Sequence, residues 1–275
     1  MKVFITGATG FLGRYVLLAA VAAGHKCYCI HRSFVPAELQ KLDNVIWLKG
    51  GLSYDWTDIL NECDAVIHLA SAGVSPQQAT REEYFQINVT DSLLFVESAA
   101  DAGISKVIVA GSCFEYGASG ERYDQIPVDA PLEPLNAYGA SKAAATIAFC
   151  SLAREKGFAL RILRPFHFYG EGQAIVNLWP SLKAAALAGD DFEMTAGEQV
   201  RDYMAVEDVA SSFVSELEEP KNAGPKIKNI GSGSPLTLAD FCSKWWKQFN
   251  AKGELLIGAL QYRNGEVMRF VPKVD

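Results

Sequence analysis

The sequence has little positive charge and no long apolar run, and each shortage argues against a class of protein. Its 275 residues carry 25 lysines and arginines against 32 aspartates and glutamates, and the formal net charge is −7. Nucleic-acid binding needs a clustered basic face, and the sequence has none, so we expect no nucleic-acid partner. No window of about 18 uninterrupted apolar residues occurs, so we expect no membrane-spanning helix.

Export signals and metal-binding cysteine patterns are also missing. The N-terminal sequence MKVFITGATG reaches glycine after only a short apolar run. A secretory signal needs a longer apolar segment, so we expect a cytoplasmic protein. The six cysteines form no CxxC pair and no zinc-like cluster, so we predict no metal site. We expect the cysteines, including Cys27 and Cys29 of one predicted strand, to be reduced core thiols.

Short β-rich runs alternate with helical stretches over the first 165 residues. The patterns predict strands at 3–6, 26–31, 45–48, 65–69, 107–110 and 159–163, and helices at 12–23, 84–102 and 137–155. Helices of this length between strands indicate right-handed crossovers and a parallel, doubly wound α/β sheet. Further helices are predicted at 176–188, 206–218 and 238–250. We therefore expect a dinucleotide-binding domain at 1–165, which also receives segments from about 200–232, and a smaller C-terminal substrate-binding lobe at 166–275.

A glycine-rich loop follows the first predicted strand. It reads Gly7-Ala8-Thr9-Gly10-Phe11-Leu12-Gly13 and leads into the first predicted helix. Glycine permits a tight turn and lets backbone amides approach a pyrophosphate, which then lies at the positive end of the helix. A glycine triplet alone is weak, but its place between a strand and a helix predicts a dinucleotide site.

The end of the second predicted strand indicates which dinucleotide is bound. An acidic residue there accepts hydrogen bonds from the adenosine ribose of NAD. This chain instead reads Cys29-Ile30-His31-Arg32-Ser33. A guanidinium pairs well with phosphate, so we expect Arg32 and Arg14 to bind a 2′-phosphate and the cofactor to be NADP. The alternative is that Arg32 is a solvated loop charge.

Three residues have the chemistry needed for hydride transfer to a carbonyl. Tyr138 and Lys142 are four positions apart and share one face of a predicted helix. Ser112 follows the fifth predicted strand, at the sheet edge where ligands bind. The alkoxide that hydride transfer creates takes a proton, and a nearby ammonium lowers the pKa of a phenol. We expect Tyr138 to be the general acid, Lys142 to lower its pKa and hold the nicotinamide ribose, and Ser112 to orient the substrate oxygen.

Over nearly its whole length the chain resembles the extended short-chain dehydrogenase/reductase family, in its nucleotide-sugar epimerase/dehydratase/reductase branch. The motifs that carry the resemblance are GATGFLG, Asp55, His68-Leu69-Ala70, Asn88-Val89, Ser112 with Tyr116-Gly117, Tyr138 to Lys142, Arg164-Pro165-Phe166 with Tyr169-Gly170, Arg201-Asp202-Tyr203 with Asp208-Val209, and Asn229-Ile230-Gly231.

The resemblance implies a Rossmann-type fold, a catalytic triad of Ser112, Tyr138 and Lys142, and a homodimer built on the helices at 84–102 and 137–155. Together with Arg14 and Arg32, predicted above from their chemistry, the cofactor contacts that we expect are Gly7, Thr9, Gly10, Phe11, Leu12, Gly13, Leu69, Ala70, Asn88, Tyr138, Lys142 and Pro165. The substrate contacts that it implies are Ser75, Cys113, His167, Asn177, Arg201 and Arg263.

Several of these substrate residues also have purely structural interpretations. Arg201 is alternatively paired with Asp202 or Glu207, and Arg263 with Glu266. His167 stands where relatives often have asparagine, and a satisfied buried histidine is the alternative to substrate contact. Asn177 is alternatively a local cap.

The chain departs from the family's 4,6-dehydratases directly after the catalytic serine. Those enzymes have an Asp-Glu pair where this chain has Cys113 and Phe114. Glu115 follows one place later, and in a strand-like segment that shift turns it to the opposite face. We therefore expect no dehydration. The segment from Ser112 to Gly117 resembles that of enzymes that make deoxysugars on a nucleotide carrier, and a preference for NADP fits a reductase. The resemblance thus implies NADPH-dependent reduction of the 4-keto group of a nucleotide-linked 4-keto-6-deoxysugar. The alternatives are a nucleotide-sugar 4-epimerase with retained NAD(P), and a non-catalytic NADP-binding regulator.

Overall fold

The computed structural model describes residues 1–73, 79–220 and 224–274. Its strands are β1 (Lys2–Thr6), β2 (Lys26–His31), β3 (Val45–Lys49), β4 (Ala65–His68), β5 (Lys106–Ala110), β6 (Ala159–Pro165), β7 (His167–Tyr169), β8 (Phe192–Met194), β9 (Val200–Arg201), β10 (Tyr203–Ala205), β11 (Gly224–Ile230), β12 (Leu236–Thr237), β13 (Leu255–Ile257) and β14 (Arg269–Phe270). Its α-helices are α1 (Phe11–Ala22), α2 (Ala37–Gln40), α3 (Thr57–Leu60), α4 (Arg81–Phe85), α5 (Ser92–Asp101), α6 (Ala137–Lys156), α7 (Leu178–Ala188), α8 (Val206–Glu218) and α9 (Leu238–Gln248).

A seven-stranded parallel sheet forms the centre of the fold, in the order β11-β6-β5-β4-β1-β2-β3. The order steps outward in both directions from the neighbouring strands β1 and β4, which is the doubly wound arrangement. The predicted Rossmann-type α/β class is therefore confirmed. One edge strand, β11, comes from residues 224–230, well beyond the first 165 residues.

Two apolar layers cover the faces of this sheet. Phe4, Phe95 and Phe149 belong to the layer beneath α5 and α6, whereas Leu17 and Phe213 belong to the layer beneath α1 and α8. Residues that alternate along each buried strand supply both layers, as a sheet covered on both faces requires. A separate apolar cluster lies between α7 and α9.

The structure corrects the single helix predicted at 84–102. The segment consists of α4, a π-helical turn at Gln86–Asp91 and α5. The Ser92 hydroxyl donates to the carbonyl oxygen of Ile87 at 2.7 Å, five residues back, and so supports the wider turn. Such π-turns occur often at functional sites, and this one carries Asn88.

Candidate active site

The glycine loop leaves room for a phosphate at one glycine and closes tightly at the other two. Gly7 has φ +72°, and a Cβ there would lie 2.7 Å from the amide nitrogen of Ala70. A Cβ on Gly13 would lie 2.0 Å from the carbonyl oxygen of Gly7, whereas one on Gly10 would meet only that oxygen, at 3.2 Å. Gly10 precedes α1 and provides no side-chain cap, so the first amides of α1 remain available to an anion. These residues fit a dinucleotide pyrophosphate.

A directed chain of hydrogen bonds fixes the ends of β1 and β4 beside this loop. The Thr6 hydroxyl accepts the amides of Leu69 and Ala70, both at 3.1 Å, and lies 2.8 Å from His68 Nδ1. The Thr6 oxygen accepts both amides, so its own proton is free to bond His68, and Nδ1 of His68 is the acceptor of that proton. Nε2 of His68 then carries the ring proton and donates it to Ser92 Oγ at 2.9 Å. Burial lowers the pKa of His68 to about 3, which agrees with a neutral ring.

Asn88 joins the loop after β4 to α6. Its Oδ1 accepts the Ala72 amide at 2.7 Å and the Ser71 hydroxyl at 3.0 Å, and its Nδ2 donates to Ser141 Oγ at 2.9 Å. Asn88 is only 3% exposed. The structure thus places this predicted cofactor residue in a protein-internal network.

The predicted triad meets at the carboxyl end of β5. Ser112 follows β5, and Tyr138 lies in the first turn of α6, where the hydroxyls of Ser112 and Ser71 are near enough to the phenol to lower its pKa. Lys142, one turn later, donates to the carbonyl oxygen of Ala110 at 2.6 Å. The three side chains therefore lie at the edge of the sheet where parallel strands present ligands.

The pKa values at this site differ from the sequence expectation. Burial raises the pKa of Tyr138 to about 12, against the hydrogen bond from Ser112. Burial also lowers the pKa of Lys142 to about 8, against the negative charge of Glu115. Desolvation dominates the pKa of the phenol, and the ammonium of Lys142 is bonded to the carbonyl oxygen of Ala110. The role of Lys142 in lowering the pKa of Tyr138 stays a prediction.

The segment after Ser112 is a 3₁₀ turn at Cys113–Glu115, so the strand-like expectation was wrong. Cys113 is buried, and burial raises the pKa of its thiol to about 12. Phe114 is 51% exposed and packs edge-on against Tyr138 at 6.1 Å between ring centroids. Glu115 is fully buried beneath Ser112, a placement that no pattern in the sequence predicted.

Other predicted cofactor residues lie along α1 and β2. Phe11 stacks on Phe168 at 5.7 Å, and the guanidinium of Arg14 lies against Gly172, where a Cβ would be 2.6 Å from Nη1. Arg32 is exposed at the end of β2, beside a cavity of about 430 Å³. The cavity is lined by His31, Ser33, Phe34, Val35, Gln40 and Trp47.

The remaining cofactor predictions fall at the same edge of the sheet. Thr9 and Leu12 are half-buried in the glycine loop, Leu69 and Ala70 are half-buried directly after β4, and Pro165 is buried at the end of β6.

Arg201 is paired, but with neither of the expected acids. Its Nη2 lies 3.3 Å from Glu266 Oε1 and also donates to the carbonyl oxygen of Val267. The structure does not support the alternative pairing of Arg263 with Glu266: in the part of the chain described, the carboxylate of Glu266 pairs with Arg201. Asp202 instead accepts the amides of residues 232 and 233.

His167 differs from the satisfied histidine given as the alternative. Its Nδ1 is buried without a hydrogen-bond partner among the described residues. Burial, aided by the charge of Arg201, lowers the pKa of His167 to about 3. Asn177 directly precedes α7 without a side-chain capping bond. Ser75 lies outside the described residues.

Two absences are limited to residues 1–73, 79–220 and 224–274. No helix there has the length and apolarity to cross a membrane. No group of three or more histidine, cysteine, aspartate or glutamate side chains there is arranged to hold a metal ion.

Curated relatives are similar to this chain over most of its length. The UDP-glucose 4-epimerase of Corynebacterium glutamicum is 27% identical, over 86% of this chain and 77% of that protein. The UDP-glucose 4-epimerase of Azospirillum brasilense is 29% identical, over 87% and 75%. The dTDP-6-deoxy-L-talose 4-dehydrogenase (NAD(+)) of Aggregatibacter actinomycetemcomitans is 29% identical, over 92% of both chains.

Solved structures and a family profile agree with these relatives. MoeE5 in complex with UDP-glucuronic acid and NAD is 27% identical with a TM-score of 0.84, over 100% of this chain and 90% of that chain. The profile of the NAD dependent epimerase/dehydratase family matches residues 3–231. The chain therefore belongs to the NAD-dependent epimerase/dehydratase family of extended short-chain dehydrogenase/reductase enzymes, as the sequence motifs predicted.

Proposed function

We propose that this enzyme transfers hydride reversibly at carbon 4 of a nucleotide-linked hexose with NAD(P), and that its net reaction is 4-epimerisation. The observation that carries the proposal is the meeting of Ser112, Tyr138 and Lys142 at the sheet edge beside the glycine loop. The names of the three curated relatives all refer to position 4 of a sugar. That shared position supports carbon 4 as the reacting atom, and the two epimerases among them favour epimerisation over net reduction.

The protein's own groups handle the proton of the 4-hydroxyl. When bound, the nicotinamide supplies the acceptor and donor of the hydride. Tyr138 takes the hydroxyl proton as the C4–H bond breaks and returns it when hydride is delivered to the other face of the ketone. Ser112 holds the same oxygen, and Lys142 stabilises the phenolate form of Tyr138, which is present before the proton is taken and again after it is returned.

The second candidate is the predicted NADPH-dependent reduction of a nucleotide-linked 4-keto-6-deoxysugar. The raised pKa of Tyr138, to about 12, favours it, because a protonated phenol is the form that donates to a ketone. The relative that acts on dTDP-6-deoxy-L-talose also favours it. Binding of NADP in preference to NAD remains a proposal that rests on Arg32 and on the missing acid at the end of β2.

Cofactor stoichiometry separates the two candidates. The purified protein is assayed for interconversion of UDP-glucose and UDP-galactose, and for NADPH oxidation with dTDP-4-keto-6-deoxyglucose. Interconversion without net cofactor consumption supports the epimerase, whereas one NADPH per sugar supports the reductase. Cofactor binding with neither reaction would contradict both and favour a non-catalytic regulator.

Tyr138→Phe tests the proton role in either reaction. We expect cofactor binding close to that of the unmodified protein and a loss of turnover of at least about 100-fold, the usual scale of acid–base catalysis. Tyr54→Phe, at a tyrosine that is 62% exposed, is the matched control. Normal turnover in Tyr138→Phe would exclude this phenol as the proton donor.

We also propose that the enzyme is a homodimer through the outer faces of α5 and α6. These helices expose Leu94 at 57% and Ile147 at 64%. Light scattering is expected to give a dimer that Leu94→Glu and Ile147→Glu each weaken. Leu187→Glu on α7, where the leucine is 65% exposed, controls for an added surface charge, and an unmodified protein that is monomeric contradicts the proposal.

A further inference from the structure

A buried carboxylate lies directly behind the catalytic serine. Glu115 is 0% exposed and accepts hydrogen bonds from three separate elements. Its Oε1 accepts the Ser112 amide at 2.7 Å, and its Oε2 accepts the Thr146 hydroxyl of α6 and Nε of Arg164 in β6, both at 2.9 Å. Gly111 permits this approach, because a Cβ there would lie 2.8 Å from Oε1.

The guanidinium of Arg164, which pairs with Glu115, also bonds to other groups. Its Nη1 donates to the Tyr116 hydroxyl at 2.9 Å and to the carbonyl oxygen of Val128 at 3.1 Å. The Tyr116 hydroxyl in turn donates to Asn229 Oδ1 at 2.6 Å. Buried ion pairs seldom stabilise a fold more than apolar side chains of the same volume, so stability alone does not account for a charged pair here.

The geometry connects Glu115 to the reaction in two ways. Ser112 and Glu115 form a reciprocal cap, in which the Ser112 hydroxyl accepts the Phe114 amide at 3.2 Å while Glu115 holds the Ser112 amide. These two hydrogen bonds fix the position of the Ser112 hydroxyl beside Tyr138. The carboxylate also lies against the segment that binds Lys142: Oε1 packs against Gly111, and Lys142 Nζ donates to the carbonyl oxygen of the preceding residue, Ala110, at 2.6 Å.

The charged and titratable neighbours of these two groups come from several elements. Lys142 interacts with Glu115 and with His68 of β4, which is neutral. Glu115 interacts with Arg164, and its charge also acts on four weakly acidic groups. These are Cys113, Tyr116, Tyr138 and Cys150. The carboxylate that acts on Lys142 is that of Glu115.

We infer that Glu115 is a positioning residue of the reaction, which fixes Ser112 through its amide and supplies the negative charge that keeps Lys142 an ammonium. This inference rests on the proposed function, since that function gives Ser112 and Lys142 their roles. In the unmodified protein the charge of Glu115 raises the pKa of Lys142 against desolvation. Loss of the charge therefore lowers that pKa further.

The test is the titration of Lys142 in Glu115→Gln, followed by NMR of protein labelled with ¹³C at the lysine ε carbons. The Lys142 signal is assigned by its absence in Lys142→Met. Glutamine keeps an acceptor for the Ser112 amide but removes the charge, so we expect the midpoint to fall by about one pH unit. Thr146→Val is the matched control, because it removes one hydrogen bond from the same carboxylate and keeps the charge. We expect its midpoint to match that of the unmodified protein.

A second variant keeps the inference open to refutation if Glu115→Gln does not fold. Glu115→Gln/Arg164→Met removes both charges, leaves no unpaired buried guanidinium and is expected to show the same fall. An unchanged Lys142 midpoint in every folded variant that lacks Glu115, or an equal fall in Thr146→Val, would overturn the inference.

The pH dependence of turnover supplies the second readout. If Lys142 must be charged, the high-pH limb of kcat/KM moves to lower pH in Glu115→Gln and stays in place in Thr146→Val. A high-pH limb that stays in place in Glu115→Gln overturns the inference that the charge of Glu115 acts on the reaction through Lys142. If the unmodified protein turns over no nucleotide-linked hexose, the proposed function fails, while the NMR titration still tests the charge of Glu115 on Lys142.

Discussion

Replacing Lys142 by methionine should make the folded protein more stable at neutral pH while removing its activity. Burial lowers the pKa of Lys142 from 10.5 to about 8. Each pKa unit corresponds to about 1.4 kcal/mol of free energy between the two protonation states, so the charged form is destabilised in the fold by about 3 kcal/mol. Methionine has a similar length and carries no charge, and so avoids this cost.

The sign of the pH dependence follows from proton uptake. Between pH 8 and 10.5 the unfolded chain keeps a proton on Lys142 that the folded protein has released. Stability of the unmodified protein therefore rises with pH across this window, relative to Lys142→Met. The variant also loses the bond to the carbonyl oxygen of Ala110, at a cost of about 1–3 kcal/mol that does not depend on pH.

The assay is urea unfolding of both proteins, followed by far-UV circular dichroism from pH 7 to 10.5. The advantage of Lys142→Met is expected to shrink by about 3 kcal/mol between pH 8 and 10.5. Lys244→Met, at an exposed lysine of α9, controls for the loss of one positive charge. A difference between Lys142→Met and the unmodified protein that is flat, or that grows with pH, would refute the reasoning.

Three further substitutions test the cofactor side of the cleft. Gly13→Ala places a Cβ 2.0 Å from the carbonyl oxygen of Gly7, so we expect calorimetry to detect no NAD(P) binding. Gly51→Ala is the control: no atom lies within 4 Å of a Cβ there, and we expect normal binding. Thr6→Val removes the acceptor of two amides and the donor to His68, so urea unfolding should show a loss of roughly 3 kcal/mol; a loss under about 0.5 kcal/mol would contradict the directed chain. Arg32→Ala should weaken NADPH much more than NADH, and equal losses would mean that Arg32 does not contact the 2′-phosphate.

Local patterns predicted the elements of the sheet well. The predicted strands end within two residues of β1 to β6, and the helix predicted at 206–218 has the bounds of α8. Hydrophobic period and glycine position suffice for these, because most of these strands are buried on both faces and α8 has one apolar face. The π-turn at Gln86–Asp91 was not predictable in this way, because a side-chain bond from Ser92 supports it.

The residues of the site were predictable from the sequence, but their pKa values and ion pairs were not. The sequence spacing brought Tyr138 and Lys142 to one helical face, and the structure places both beside Ser112. The pKa values depend on desolvation, which arises only when distant segments close over the site. The partner of Arg201 was missed for the same reason, since Glu266 comes from 65 positions further along the chain.

The position of β11 has a consequence for the way the chain is made. Lys106 of β5 is 1% exposed, and its ammonium donates to backbone carbonyls at the end of α8. Arg161 of β6 is 4% exposed and lies near Glu216 of α8. A nascent chain that has left the ribosome only as far as residue 165 has neither α8 nor β11. The edge of its β6 is unpaired, and the groups of α8 that bind Lys106 and Arg161 are not yet translated. The sheet is therefore completed after most of the second lobe has been translated, and a fragment cut at residue 165 is expected to aggregate rather than bind cofactor.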